Sequence, residues 1–143
     1  MTVRQILEAK GREVVTVEAA MSVADAAARL SQRKIGAMVV VDSEGGVLGI
    51  LSERDVVRLV VAHGADGLSR QVAETMTSDV VTGREDMTSD EAMGLMTEGR
   101  FRHLPICEGG RLVGIISIGD AVKHRLEQAV QEAEEMRSYI HTA

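Results

Sequence analysis

The feature that most constrains this chain is that it is written twice. Gly49-Ile50-Leu51-Ser52-Glu53-Arg54-Asp55 returns as Gly114-Ile115-Ile116-Ser117-Ile118-Gly119-Asp120, in the order glycine, two apolar residues, serine, two variable residues, aspartate. Upstream, Thr16 matches Thr82, Ser22 matches Thr88, Ala26 matches Ala92 and Val40 matches Ile106, all at an offset of 66 (82 minus 16). The offset then falls to 65 (120 minus 55), because the turn Glu108-Gly109-Gly110 is shorter than Asp42-Ser43-Glu44-Gly45-Gly46. A slip confined to a hairpin loop leaves the flanking elements intact. Self-similarity over this length predicts two like halves packed on one another.

Each half reads as strand, helix, strand, strand, helix. In the first, residues 14–17 form a short β-branched strand, and Ser22 with Asp25 caps a helix that stops near Gly36. The apolar run 37–41 and the segment 47–51 form a hairpin, and a helix follows Ser52 as far as His63-Gly64. The intervening helix makes the first two strands parallel, while the hairpin is antiparallel. Residues 64–69 are a linker, after which the order repeats, with Thr88 to Glu91 as a capping box. Residues 3–8 predict a lead-in helix, ended by Lys10-Gly11, that caps a sheet edge. The expected fold class is α/β (α+β): two pseudo-symmetric β-α-β-β-α repeats packed as one module. Residues 1–66, lead-in helix included, form the first repeat, 67–128 the second, and 129–143 a helical extension. The extension's apolar side, Ala129, Val130, Ala133 and Met136, points to contact with a second subunit.

Composition narrows the partners. A formal charge of -6 argues against bulk binding to nucleic acid or to an anionic membrane surface, and no apolar run is long enough to span a bilayer. A single cysteine, Cys107, and an N-terminus without a signal-like layout predict a reducing, cytoplasmic setting. Aromatic residues are limited to Phe101 and Tyr139, so a flat ligand is expected to be gripped by aliphatic side chains.

The Ser-x-x-Asp pairs admit two readings. Ser52 and Ser117 are plain helix caps, with Asp55 and Asp120 completing the box at the positive helix end. Alternatively, a carboxylate on the first turn after a strand accepts both hydroxyls of a ribose, and the duplication favours that reading. Arg102 and His103 lead into the second hairpin where the first half has Gly36-Ala37, and suit phosphate oxygens. Arg54 is a further anion candidate, while Arg100 reads as a solvated turn residue.

In these features the chain resembles a tandem pair of CBS domains, the modules named after cystathionine β-synthase, specifically the stand-alone bacterial signalling type. The matching residues are the Val-x-x-x-Met-Thr lead at Val72 to Thr77, the Arg-His-Leu-Pro-Ile run at Arg102 to Ile106 and the two Gly-apolar-apolar-Ser-x-x-Asp ends. The first half departs from the pattern, with no Met-Thr lead and with Gly36-Ala37-Met38-Val39 where the second has Arg-His-Leu-Pro. The resemblance implies regulatory binding of AMP, ADP, ATP, NAD(H) or S-adenosylmethionine in clefts between the repeats. It implies that Ser52 and Asp55 hold one ribose, with Thr77, Asp79 and Val81 lining the base. Ser117 and Asp120 would serve the other, facing Val14 and Thr16. Arg102 and His103 would reach phosphate, with Ala37 as their first-half counterpart. It further implies a homodimer, an energy or redox sensor rather than an enzyme, with no catalytic cofactor, and a separate regulated protein.

Competing readings are weaker. Cys107 or Ser117 as nucleophile with His103 as base lacks a third, orienting group, and the scattered histidines and lone cysteine have no metal-ligand spacing. An interaction or dimerisation module that binds no nucleotide is the serious rival.

Overall fold

The computed structural model describes residues 1–142. Helix α1 (Val3–Lys10) precedes β1 (Thr16–Val17), α2 (Val23–Arg33), β2 (Ala37–Val41), β3 (Val47–Ser52) and α3 (Glu53–His63). A 3-10 turn at Gly64–Ser69 leads to α4 (Val72–Thr75), α5 (Ser89–Gly99), β4 (His103–Glu108), β5 (Arg111–Ser117) and α6 (Ile118–Thr142). Strands β1, β2 and β3 form one sheet in that order, with β1 parallel and β3 antiparallel to β2, as the alternation of elements predicts. The β4–β5 hairpin is antiparallel and repeats the register shift of the first, between Ile106 and Cys107 as between Val40 and Val41. Helices α2 and α5 end alike, on Lys34 and Arg100 in the left-handed conformation, each closing the last turn through its N–H.

Three expectations are corrected. The strand over 14–17 shortens to Thr16–Val17. Its second-half counterpart shrinks to one parallel bridge between Gly83 and Ile106, held by Gly83 N–H to the Pro105 carbonyl (2.8 Å) and Cys107 N–H to the Gly83 carbonyl (3.0 Å). A Cβ at Gly83 would lie 2.9 Å from Leu104 and 3.0 Å from Ile106, so this crossing needs the missing side chain. At α5 only the first half of the capping box forms, with the Thr88 hydroxyl accepting the Glu91 N–H at 3.1 Å.

The lead-in segments are exchanged between the halves. Val3, Ile6 and Leu7 of α1 are fully buried, in one cluster with Met87, Ala92, Met96, Leu104, Ile106 and Ile116 of the second half. The chain is pinned there by Val3 N–H to the Met87 carbonyl (2.8 Å) and Ser89 N–H to the Met1 carbonyl (2.9 Å). Reciprocally, Val72 of α4 is buried with Val17, Ala26, Leu30, Met38, Val40 and Leu51 of the first half. Val23 N–H to the Arg70 carbonyl and Val72 N–H to the Met21 carbonyl, both 2.8 Å, fix that contact. The helix expected to cap a sheet edge therefore fills the core of the opposite half.

This exchange explains the motif glycines. Thr77 pairs with Ile50 through two backbone hydrogen bonds of 2.9 Å, which sets its carbonyl over Gly49. A Cβ at Gly49 would meet that carbonyl at 2.6 Å, whereas one at Gly114 would meet the Leu7 side chain at 2.7 Å. A backbone atom tied into a bridge yields less than a leucine rotamer. Gly49→Ala should therefore cost about 1–3 kcal/mol and more than Gly114→Ala, read as urea midpoints at constant m; the reverse order would contradict the packing.

Candidate functional site

A cleft of about 520 Å3 lies between the halves, bounded by the end of β3, the first turn of α3, the segment from Thr77 to Val81 and the approach to β4. One end is organised by Asp55. Its Oδ2 accepts the Ser52 N–H at 2.9 Å and the Ser52 hydroxyl at 3.1 Å, while the Ser52 hydroxyl accepts the Asp55 N–H at 3.2 Å. This capping box fixes the carboxylate where the strand becomes a helix. Its Oδ1 receives only a long contact, 3.4 Å, from the Thr77 hydroxyl, and faces the cleft with most of its acceptor capacity unused.

Much of the rest of the lining is basic. Arg54 and Arg58 enter from α3, and Arg100, Arg102 and His103 from the opposite half, with Glu53 and Asp79 as carboxylates in the same lining. Burial pushes the His103 imidazole below its ordinary pKa of 6.5, and the charges of Lys10 and Arg102 add to this against the opposing pull of Asp120 and Glu53. The ring is therefore neutral at pH 7, with a nitrogen ready to take a proton if an anion arrives. Ile50, Val81 and Phe101 supply apolar wall.

The second Ser-x-x-Asp end has the same frame and a different occupant. Asp120 Oδ2 accepts the Ser117 N–H at 2.8 Å, and the Ser117 hydroxyl accepts the Asp120 N–H at 3.0 Å. The same Oδ2 accepts Lys10 Nζ at 2.6 Å, and that ammonium also donates to the Ile115 carbonyl at 2.9 Å. Burial alone would raise the pKa of Asp120, but the Lys10 hydrogen bond, the Ser117 N–H and the Lys10 charge outweigh it and hold the carboxyl below 3.8.

Of the sequence-derived residues, Ser52, Arg54, Asp55, Thr77, Asp79, Val81, Arg102 and His103 share the one cleft. Ala37 does not belong to it: its side chain is buried in β2, and its neighbour Gly36 forms the wall. Val14 and Thr16 lie half-buried at β1, where the Thr16 carbonyl accepts from Arg29, and it is Lys10 that meets Asp120. Arg100, read as a solvated turn residue, lines the cleft because its left-handed cap conformation turns the chain toward β4. Arg58 was missed, although it stands four residues after Arg54 and so on the same helix face. Phe101 adds an aromatic ring to the aliphatic part of the lining.

The family model of the CBS domain matches residues 3–62 and again residues 70–127. The chain belongs to the CBS-domain family. The crystal structure of the CBS-domain containing protein ATU1752 from Agrobacterium tumefaciens is 50% identical and superposes with a TM-score of 0.84, over 87% of this chain and 99% of that one. The CBS domain-containing protein YhcV of Bacillus subtilis is 33% identical over 80% of each chain. The CBS pair spans 60% of the length of another relative, the mitochondrial CBSX3 of Arabidopsis thaliana. The CBS domain pair of protein MJ0100, solved in complex with 5'-methylthioadenosine and S-adenosyl-L-methionine, is 25% identical, with a TM-score of 0.75 over 86% of this chain and 98% of that one.

Burial, with the charge of Glu108, raises the Cys107 thiol pKa and so disfavours the nucleophilic thiolate. Among the described residues no group of His, Cys, Asp and Glu is arranged to hold a metal ion, and no helix is long and apolar enough to cross a membrane.

The depressed Asp120 pKa makes a pH prediction. A carboxyl with a folded pKa below its unfolded value contributes stability that is complete above the unfolded value, here near 3.8, and is lost as pH falls through the lower folded value. Lys10→Met removes the largest lowering cause and leaves burial pushing upward. Denaturant titrations from about pH 5 to about pH 3 should show a shallower acid loss in the variant than in the parent; parallel acid limbs would mean that the ion pair does not hold in solution.

Proposed function

We propose that this CBS pair is a non-catalytic regulatory module that binds an adenosine-containing ligand, AMP, ADP, ATP or NAD(H), in the Asp55 cleft and so reports energy or redox state to a separate protein. The observation that carries this reading is the make-up of a single cleft: a carboxylate fixed by its capping box, one oxygen of which takes only a long 3.4 Å contact, shares it with guanidinium groups from both halves and a neutral imidazole. A ribose diol needs the first and a phosphate chain the second, with Arg forks bidentate on phosphate. Ile50, Val81 and Phe101 would pack on the base. The adenosyl ligands of the MJ0100 pair point to the same class. The unpaired Cys107 suits a reducing cytoplasmic setting.

The test is thermal melting against AMP, ATP, NAD, NADH and S-adenosylmethionine, since a ligand that binds only the folded state raises the midpoint. At least one should raise it, and Asp55→Ala should abolish that rise while costing only about 1 kcal/mol of stability as a lost cap. A flat response across the panel at millimolar concentration would end the nucleotide reading.

The module also pairs with a second copy on this reading. Along α6, Val122, Leu126, Ala129, Ala133, Met136 and Ile140 recur at alternating spacings of four and three, the seam of a two-stranded coiled coil. Leu126, Met136 and Ile140 are 62%, 61% and 64% exposed in the single chain. In a parallel pair Glu132 of one helix would face Arg137 of the other, which favours a second copy over an unlike partner. Light scattering should give a dimer that Leu126→Glu with Met136→Glu converts to monomer; an unchanged mass would place the interface elsewhere.

A further inference from the structure

The two Ser-x-x-Asp ends superimpose in sequence at one offset, so what occupies each can be compared atom by atom. Ile50, Ser52 and Asp55 correspond to Ile115, Ser117 and Asp120 (115 minus 50 is 65). At the first, the opposite lead-in delivers Thr77, whose backbone pairs with Ile50 and whose hydroxyl touches Asp55 at 3.4 Å. At the second, the opposite lead-in delivers Lys10, whose ammonium takes the Ile115 carbonyl and the Asp120 carboxylate together, at 2.9 and 2.6 Å. A weak neutral donor stands at one position and a full positive charge at the equivalent one.

We infer that Lys10 is the built-in occupant of the second Ser-x-x-Asp site, so that the protein takes one nucleotide per chain, at the Asp55 cleft. The inference rests on the nucleotide reading of that cleft. A ribose brings neutral hydroxyls, and to reach Asp120 they must displace a charge-assisted bond, the stronger kind. The lysine is also delivered rather than tethered loosely. Helix α1 is capped at both ends, by the Thr2–Gln5 box and by the Gly11 N–H on the Leu7 carbonyl, and Val3, Ile6 and Leu7 are fully buried. Leu7, three residues before Lys10, lies over Gly114. The ammonium thus competes with any ligand at high effective concentration, and the side chains of the pair keep only 30% and 25% of their exposure.

Two measurements test this. The first needs no nucleotide. Limited acetylation followed by mass spectrometry should modify Lys10 several-fold more slowly than Lys34 and Lys123, which are exposed as Lys10 is but form no ion pair among the described residues, and Asp120→Asn should abolish that protection. Equal rates in the parent would overturn the inference while leaving the Asp55 cleft untouched. The second is the stoichiometry of AMP by calorimetry. One AMP per chain is expected in the parent, two in Lys10→Met, none in Asp55→Ala and one in the double variant. Two per chain in the parent, or one in Lys10→Met and also in a Lys10→Gln control, would refute it. If no variant binds AMP, the same stoichiometries are expected for whichever ligand raises the melting midpoint, and a flat melting panel would remove the nucleotide reading and this inference with it.

Discussion

Each half of this protein is completed by a segment that belongs, in chain order, to the other. Without α1 the cluster around Met96, Leu104 and Ile116 lacks Val3, Ile6 and Leu7, which are fully buried there. Without Val72, the cluster around Met38 and Leu51 is open in the same way. Burying such side chains stabilises by about 1.5–3 kcal/mol each, so removing either segment forfeits a large part of a marginal total. The two halves accordingly cannot be treated as independent domains joined by a linker. The crossing also brings the segment from Thr77 to Val81 against β3, and so it builds the cleft as well as the core.

The same exchange breaks the symmetry that the duplicated sequence suggests. The two incoming segments are not alike: one is the short helix α4, Val72–Thr75, followed by a single bridge at Thr77, and the other is the longer helix α1, ending in Lys10. Gly49 accommodates a backbone carbonyl and Gly114 a leucine side chain, although both stand at the head of the same motif. Cationic groups are unequal too. The approach to β4 carries Arg100, Arg102 and His103 into the Asp55 cleft, where the corresponding approach to β2 ends in Gly36 and the buried Ala37.

Much of this was legible in the sequence, for a physical reason. Repeats, β2, the hairpins and the helix starts are set by local signals: apolar runs, paired glycines, and Ser or Thr three residues before an acid. The fold class and the grouping of Ser52, Asp55, Thr77, Asp79 and Val81 in one cleft follow from those signals plus the resemblance, which left open which cleft His103 would enter. What was illegible is long-range. The periodicity of α1 states which face is apolar but not which half will cover it, and a lysine at a helix end reads as a solvated terminus until its partner 110 residues away is known. Arg100 was hidden for a related reason, since a left-handed conformation at a non-glycine cap is not written in the residue type. Nor does the spacing of Thr82 against Thr16 reveal that a glycine crossing replaces a strand.

The geometry also bears on how the two halves of a CBS pair can respond to a ligand. Across the Asp55 cleft the carboxylate and Arg54 belong to the first half, and Arg102 and His103 to the second. Arg54 and Arg58 of the first half and Arg100 and Arg102 of the second outnumber the lining carboxylates Glu53, Asp55 and Asp79 by one (4 minus 3), so the empty cleft carries a small excess of positive charge and guanidinium groups of opposite halves repel across it. A polyanion reverses the sign of the interaction and draws the same groups together, most strongly if His103 takes up a proton. On the nucleotide reading, the signal is thus electrostatic in origin: the ligand's negative charge attracts guanidinium groups of both halves at once. Its strength scales with the number of phosphates, and that scaling gives the cleft a physical basis for distinguishing nucleotides that share one base and one ribose.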